Sequence, residues 1–74
     1  PDDNPSHLLI KELDRQRVRA ALLRLPAEQR QVIELRFIEN WSHSEVAIAV
    51  GKTVEATRAL QHRAVEALRQ LMAE

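Results

Sequence analysis

Ser42, His43 and Ser44 set two hydroxyls beside an imidazole, the residue types of a nucleophile and its base. Chain neighbours at a helix start point in different directions, however, and no third group is placed to orient His43, so the triplet does not form a catalytic unit. The three histidines show no close metal-ligand spacing, and His62 with Glu66, at i and i+4, is a weak pair by itself. The absence of cysteine removes thiolate zinc sites, cysteine nucleophiles and disulfides together, and there is no glycine-rich phosphate loop. The expectation is a chain that is not an enzyme, with no catalytic residues, metal, cofactor or small-molecule substrate. The remaining chemistry is that of basic and polar side chains in the second half: Lys52, Arg58, His62 and Arg63, with Glu55 and Ala59 among them. An arginine can give two hydrogen bonds to guanine and a glutamate can accept from cytosine. Lys52 and Arg63 suit phosphate, and a neutral histidine at 62 can donate to or accept from a base or a phosphate.

Such side chains read a nucleic acid only if an element holds them in register. From Leu8 to Leu25 the apolar residues recur at steps of three to five, which predicts a helix, most clearly from Asp14 to Arg24. Pro26 ends it and suits the first turn of a second helix carrying Val32, Ile33, Leu35, Phe37 and Ile38. Asn40-Trp41 closes that stretch, with Trp41 expected as a plug between the second and third helices. Ser42 followed by Glu45 is a capping box opening a short third helix, and Gly51 supplies the left-handed residue that ends it. Thr53 caps a fourth helix in which Thr57, Leu60, Ala64, Leu68 and Leu71 share one face. Glu55, Arg58, Ala59 and His62 then fall on the opposite face. Small Ala47 and Ala49 allow the third and fourth helices to approach closely. No window alternates with period two, so the fold class is all-α: a four-helix domain whose third and fourth helices form a helix-turn-helix. The second helix of such a unit lays its N-terminal residues into the major groove.

Seventy-four residues hold one thin-cored domain. Residues 1–13, opening Pro1-Asp2-Asp3-Asn4-Pro5, are expected to be a linker or frayed segment, and residues 14–74 the domain. A start at Pro1 rather than Met is what a piece of a longer protein shows. Eleven Lys+Arg balance eleven Asp+Glu, but residues 1–14 carry a net −3 and residues 15–41 a net +3. No apolar run is long enough to span a membrane, so direct membrane insertion is not expected.

The phrase Leu25-Pro26-Ala27-Glu28-Gln29-Arg30-Gln31-Val32-Ile33-Glu34-Leu35-Arg36 resembles the opening of region 4 in bacterial sigma-70-family factors. The run Trp41 to Gly51, in which Ser42-x-x-Glu45-x-Ala47 leads to the glycine, continues the resemblance. Lys52 to Ala64 is similar to the recognition helix of the extracytoplasmic-function group. The likeness covers about residues 14–72 and implies a cytoplasmic domain that binds the promoter −35 element and docks on the β flap of RNA polymerase. It also implies an anti-sigma factor as a further partner, and a separate domain for the −10 element to which residues 1–13 lead back. Carried over by position, Arg58, Ala59, His62 and Arg63 face the bases or nearby phosphates. Arg36 contacts the DNA backbone from the second helix, unless it pairs instead with Glu39 or Glu45. Ser42, Lys52 and Thr53 meet phosphates around the turn. Glu55 and Thr57 depart from the family's usual small residue and valine; Glu55 favours the helix dipole but repels phosphate, which alters the bases read or weakens binding. Two alternatives stand beside this reading: a helical protein-interaction module whose main partner is an anti-sigma factor, and a response-regulator-type effector domain.

Overall fold

In the computed structural model the backbone is described for residues 5–74 and the side chains for residues 14–74. The chain forms α1 (Pro5–Arg24), α2 (Ala27–Ile33), a π turn (Glu34–Ile38), α3 (His43–Val50) and α4 (Val54–Met72), with no strand among the described residues. The all-helical expectation therefore stands, with a refinement at the start. Helix α1 begins at Pro5, so the backbone of residues 5–13 is helical rather than the linker or frayed end that two prolines suggested. Proline at the first helical position costs nothing, because its missing N–H would have been unpaired there anyway. Residues 1–4, the rest of the expected linker, lie outside the described residues.

Pro26 separates α1 from α2 with φ −54° and ψ 146°, an extended geometry that breaks one helix and starts the next. Helix α2 then widens. Glu39 N–H donates to Glu34 O five residues back at 2.9 Å, and Trp41 N–H to Leu35 O six residues back at 2.9 Å. Asn40, at φ 60°, turns the chain out of this wide coil; asparagine is among the few non-glycine residues that tolerate the left-handed region. The wider coil turns Phe37 and Ile38 outwards, 51% and 60% exposed. Trp41 is 37% exposed and is not the buried plug that its size suggested.

Two small cores form around α4. Leu22, Leu25, Ile33 and Ala64 make one, covered by Val18, Ala67, Leu68 and Leu71. Val32, Val46 and Leu60 make the other, beneath the helix-turn-helix, with Leu35 and Val50 packed against it. Adjacent residues Val32 and Ile33 thus serve different cores, as a rotation of about 100° per residue requires. Val32 and Val46 are fully buried, each worth about 1.5–3 kcal/mol in apolar transfer. Thr57 is also fully buried, its hydroxyl donating to Thr53 O at 2.8 Å, so no polar atom is stranded there. Of the two alanines expected to let α3 approach α4, Ala47 is buried; Ala49 is exposed and plays no such part.

Candidate nucleic-acid interface

The interface is built by three caps. At the head of α3, Ser42 Oγ accepts from Glu45 N–H at 3.1 Å and Glu45 Oε1 accepts from Ser42 N–H at 2.8 Å, completing the capping box. These bonds hold the Glu45 carboxyl below its ordinary pKa, chiefly through the Ser42 backbone N–H and further through the Ser42 side chain. At the tail, Gly51 takes φ 69° and ψ 36°. Lys52 N–H then reaches Ala47 O at 3.0 Å and Gly51 N–H reaches Ile48 O at 3.3 Å, the paired closure of a Schellman motif. At the head of α4, Thr53 Oγ1 accepts from Ala56 N–H at 3.0 Å. In both hydroxyl caps the oxygen accepts, which leaves the hydroxyl hydrogen of Ser42 and Thr53 available to an external acceptor.

The geometry brings most of the expected residues together. Glu55, Arg58, Ala59, His62 and Arg63 are all exposed along the first three turns of α4, opposite buried Thr57, Leu60 and Ala64. The side chains of Arg58, His62 and Arg63 make no hydrogen bond or ion pair among the described residues. Their donors are unspent on this face, with Ser42, at the head of α3, and Thr53 supplying the hydroxyls of the two helix starts.

Two expected residues are occupied. Lys52 Nζ forms an ion pair with Glu28 Oε1 at 2.7 Å, so its charge is partly spent within the domain. Arg36 is half-buried and pairs with neither Glu39 nor Glu45. Its Nη1 donates to Trp41 O, its Nε donates to Gln61 Oε1 at 3.4 Å, and its guanidinium lies 5.7 Å from the centre of the Phe37 ring. The same Gln61 oxygen lies 2.9 Å from His43 Nε2. Gln61, His43 and Glu28 were not singled out as site residues from the sequence; the available signal was that Gln61 follows Arg58 by three residues, one turn along the helix.

A second surface lies across α1 and the π turn. Val18, Leu22 and Ile38 line an open groove of about 400 Å³, edged by Asp14, Arg15 and Arg19. Leu23, 74% exposed, adds to the apolar surface on the neighbouring side. Among the described residues no group of acidic, histidine or cysteine side chains is arranged to hold a metal, and no helix is long and apolar enough to cross a membrane.

A short capped helix nested on a longer one that presents unpaired basic side chains defines a helix-turn-helix domain of the DNA-binding kind. Residues 21–70 match the family model described as Sigma-70, region 4, and the chain belongs to that family. Family membership makes it a non-enzymatic transcription-factor domain and sets it among sigma factors rather than response-regulator effectors. The chain is similar to the ECF RNA polymerase sigma factor SigD of Mycobacterium tuberculosis H37Rv, with 38% identity over 68 residues, 92% of this chain and 32% of the relative. SigD of Mycobacterium bovis matches to the same extent. The ECF RNA polymerase sigma factor BldN of Streptomyces coelicolor is 32% identical over 69 residues, 93% of this chain and 26% of the relative. The chain thus spans about a third or less of the length of these curated relatives.

Proposed function

We propose that residues 14–74 are the promoter-reading domain of an extracytoplasmic-function sigma factor, entering the −35 element with α4 while docked on the β flap of RNA polymerase. The observation that carries this reading is the exposed, unpaired set Arg58, His62 and Arg63 on the N-terminal half of α4, opposite a buried face. Arg58 is assigned to base edges, with Ala59 and His62 beside it. Arg63, Thr53 and Ser42 are assigned to phosphates, Lys52 joins them when it leaves Glu28, and Glu55 tunes the bases accepted. Arg36 acts from behind, holding Trp41 O and Gln61, rather than as a leading phosphate contact.

The balanced charge of the chain implies weak binding by the isolated domain, and attachment to polymerase supplies the missing effective concentration. The groove between α1 and the π turn supports that attachment, being apolar on its floor and lined by none of the residues assigned to DNA. The same exposed Leu23, Phe37 and Ile38 favour a second role, capture by an anti-sigma factor that keeps the domain from polymerase in the cytoplasm and near the membrane.

The test is an amide NMR titration with a duplex enriched by the chain from a randomised pool and with its scrambled counterpart, at low and moderate salt. Selective movement of amides from Thr53 to Arg63 with the enriched duplex is the expected result. A salt-sensitive shift that is the same for both duplexes would replace promoter reading by protein docking as the primary role.

A further inference from the structure

Gln61, on α4, bonds through its side chain to both the π turn and the first residue of α3. Its Oε1 lies 2.9 Å from His43 Nε2 and 3.4 Å from Arg36 Nε. Arginine has donors only, so the atom facing Arg36 is the carboxamide oxygen, and His43 Nε2 completes the arrangement as a second donor. Arg36 also holds Trp41 O, immediately before the Ser42 cap. One acceptor atom therefore joins the recognition helix to the backbone that leads into α3 and to the first side chain of that helix. The clamp lies beside the face that carries Arg58 and His62, three residues before Gln61 and one after it.

We infer that Gln61 is a positioning residue for DNA recognition: clamped by Arg36 and His43, it fixes the angle between α4 and the head of α3. The inference rests on the promoter-reading role proposed above. Two contact sets must fit one duplex together, the base readers of α4 and the Ser42 hydroxyl at the head of α3, and a small change of angle separates them. The clamp also explains the Ser42-His43-Ser44 triplet without catalysis, since His43 spends its ring N–H on Gln61. Gln61 itself does not read adenine in the usual two-bond manner, because the oxygen such a contact requires is already engaged.

The experiment compares the ratio of affinities for the enriched and scrambled duplexes in the wild-type chain, Gln61→Leu, Gln61→Glu and His43→Ala, with circular dichroism to establish that each variant is folded. Leucine fills the same space and accepts from neither donor, and the ratio is expected to fall about tenfold, the equivalent of one or two hydrogen bonds. Glutamate keeps an acceptor facing Arg36 and His43. Its charge weakens binding to both duplexes, while the ratio returns to within about threefold of wild type. His43→Ala, at the helix start, lowers the ratio in the same direction by removing one of the two donors, and it decides the matter if the leucine variant does not fold. An unchanged ratio in folded Gln61→Leu and in His43→Ala would overturn the positioning role while leaving promoter reading intact, and so would a ratio in Gln61→Glu as low as that of the leucine variant. Absence of discrimination in the wild-type chain would remove the underlying reading and the inference with it.

Discussion

Lys52 in the turn and Glu28 at the start of α2 are joined by an ion pair of 2.7 Å. The pair ties the helix-turn-helix to the second helix, yet both side chains are well exposed, at 38% and 51%. An exposed pair of this kind contributes about 0–1 kcal/mol, little enough for a phosphate to take Lys52 from Glu28.

The exchange has a measurable consequence. Glu28→Gln removes the competing carboxylate and is expected to tighten binding to any duplex. In that background, Lys52→Ala should make the logarithmic salt dependence shallower by about 0.9, one phosphate contact. A salt slope that Lys52→Ala leaves unchanged would make Lys52 an internal tie only.

Arg58 and Arg63 should separate by the kind of loss they cause. Arg58→Ala is expected to reduce discrimination between enriched and scrambled duplexes by about 1–3 kcal/mol. Arg63→Ala is expected to weaken both duplexes alike and to reduce the salt slope by about 0.9. Competition binding at several salt concentrations distinguishes the two, and a reversal of these patterns would exchange their roles.

The cap of α3 should respond to acid. Glu45 has its pKa lowered in the folded chain by accepting from Ser42, so its contribution is complete above the ordinary carboxylate range and is lost as pH falls through the lowered folded value. The amides at the head of α3 should lose protection over that acid window, and Glu45→Gln should flatten the dependence. Ser42→Ala is expected to cost about 0.5–2 kcal/mol in denaturant unfolding at neutral pH. Loss of protection at the same pH in Glu45→Gln would point to another carboxyl.

Gly51 is required for its backbone and not for space. A Cβ there would meet nothing within 4 Å, while φ is 69°. Gly51→Ala is expected to destabilise by about 1–2 kcal/mol through the left-handed backbone alone, and Gly51→Asn by less. A much larger loss in thermal or denaturant unfolding would mean that the turn is crowded after all.

What could be read in advance divides by distance along the chain. Ser42 with Glu45, Gly51 and Thr53 announced the third and fourth helices because a cap is decided by residues three or four apart. The inward face of α4 was equally legible, since Thr57, Leu60 and Ala64 repeat at the helical period. The π turn was not, because Glu34 to Ile38 carry ordinary helix formers and the wider winding belongs to the assembled domain. Trp41 was misjudged for the same reason: its size suggested burial, and the winding before it turned it out, 37% exposed. Glu28, the partner of Lys52, and Gln61, which Arg36 reaches on α4, lie 24 and 25 positions away, beyond any local spacing rule.

The division of the apolar residues into two clusters on one shaft makes the domain a pair of separately anchored ends. Val32, Val46 and Leu60 hold the reading end, and Leu22, Leu25, Ile33 and Ala64 hold the other. A truncation such as Leu22→Ala leaves its void among side chains that do not support the capped turn, whereas Val46→Ala opens one directly beneath it. The end proposed to meet polymerase or an inhibitor is therefore free to change its surface, residue by residue, without redrawing the end proposed to read DNA.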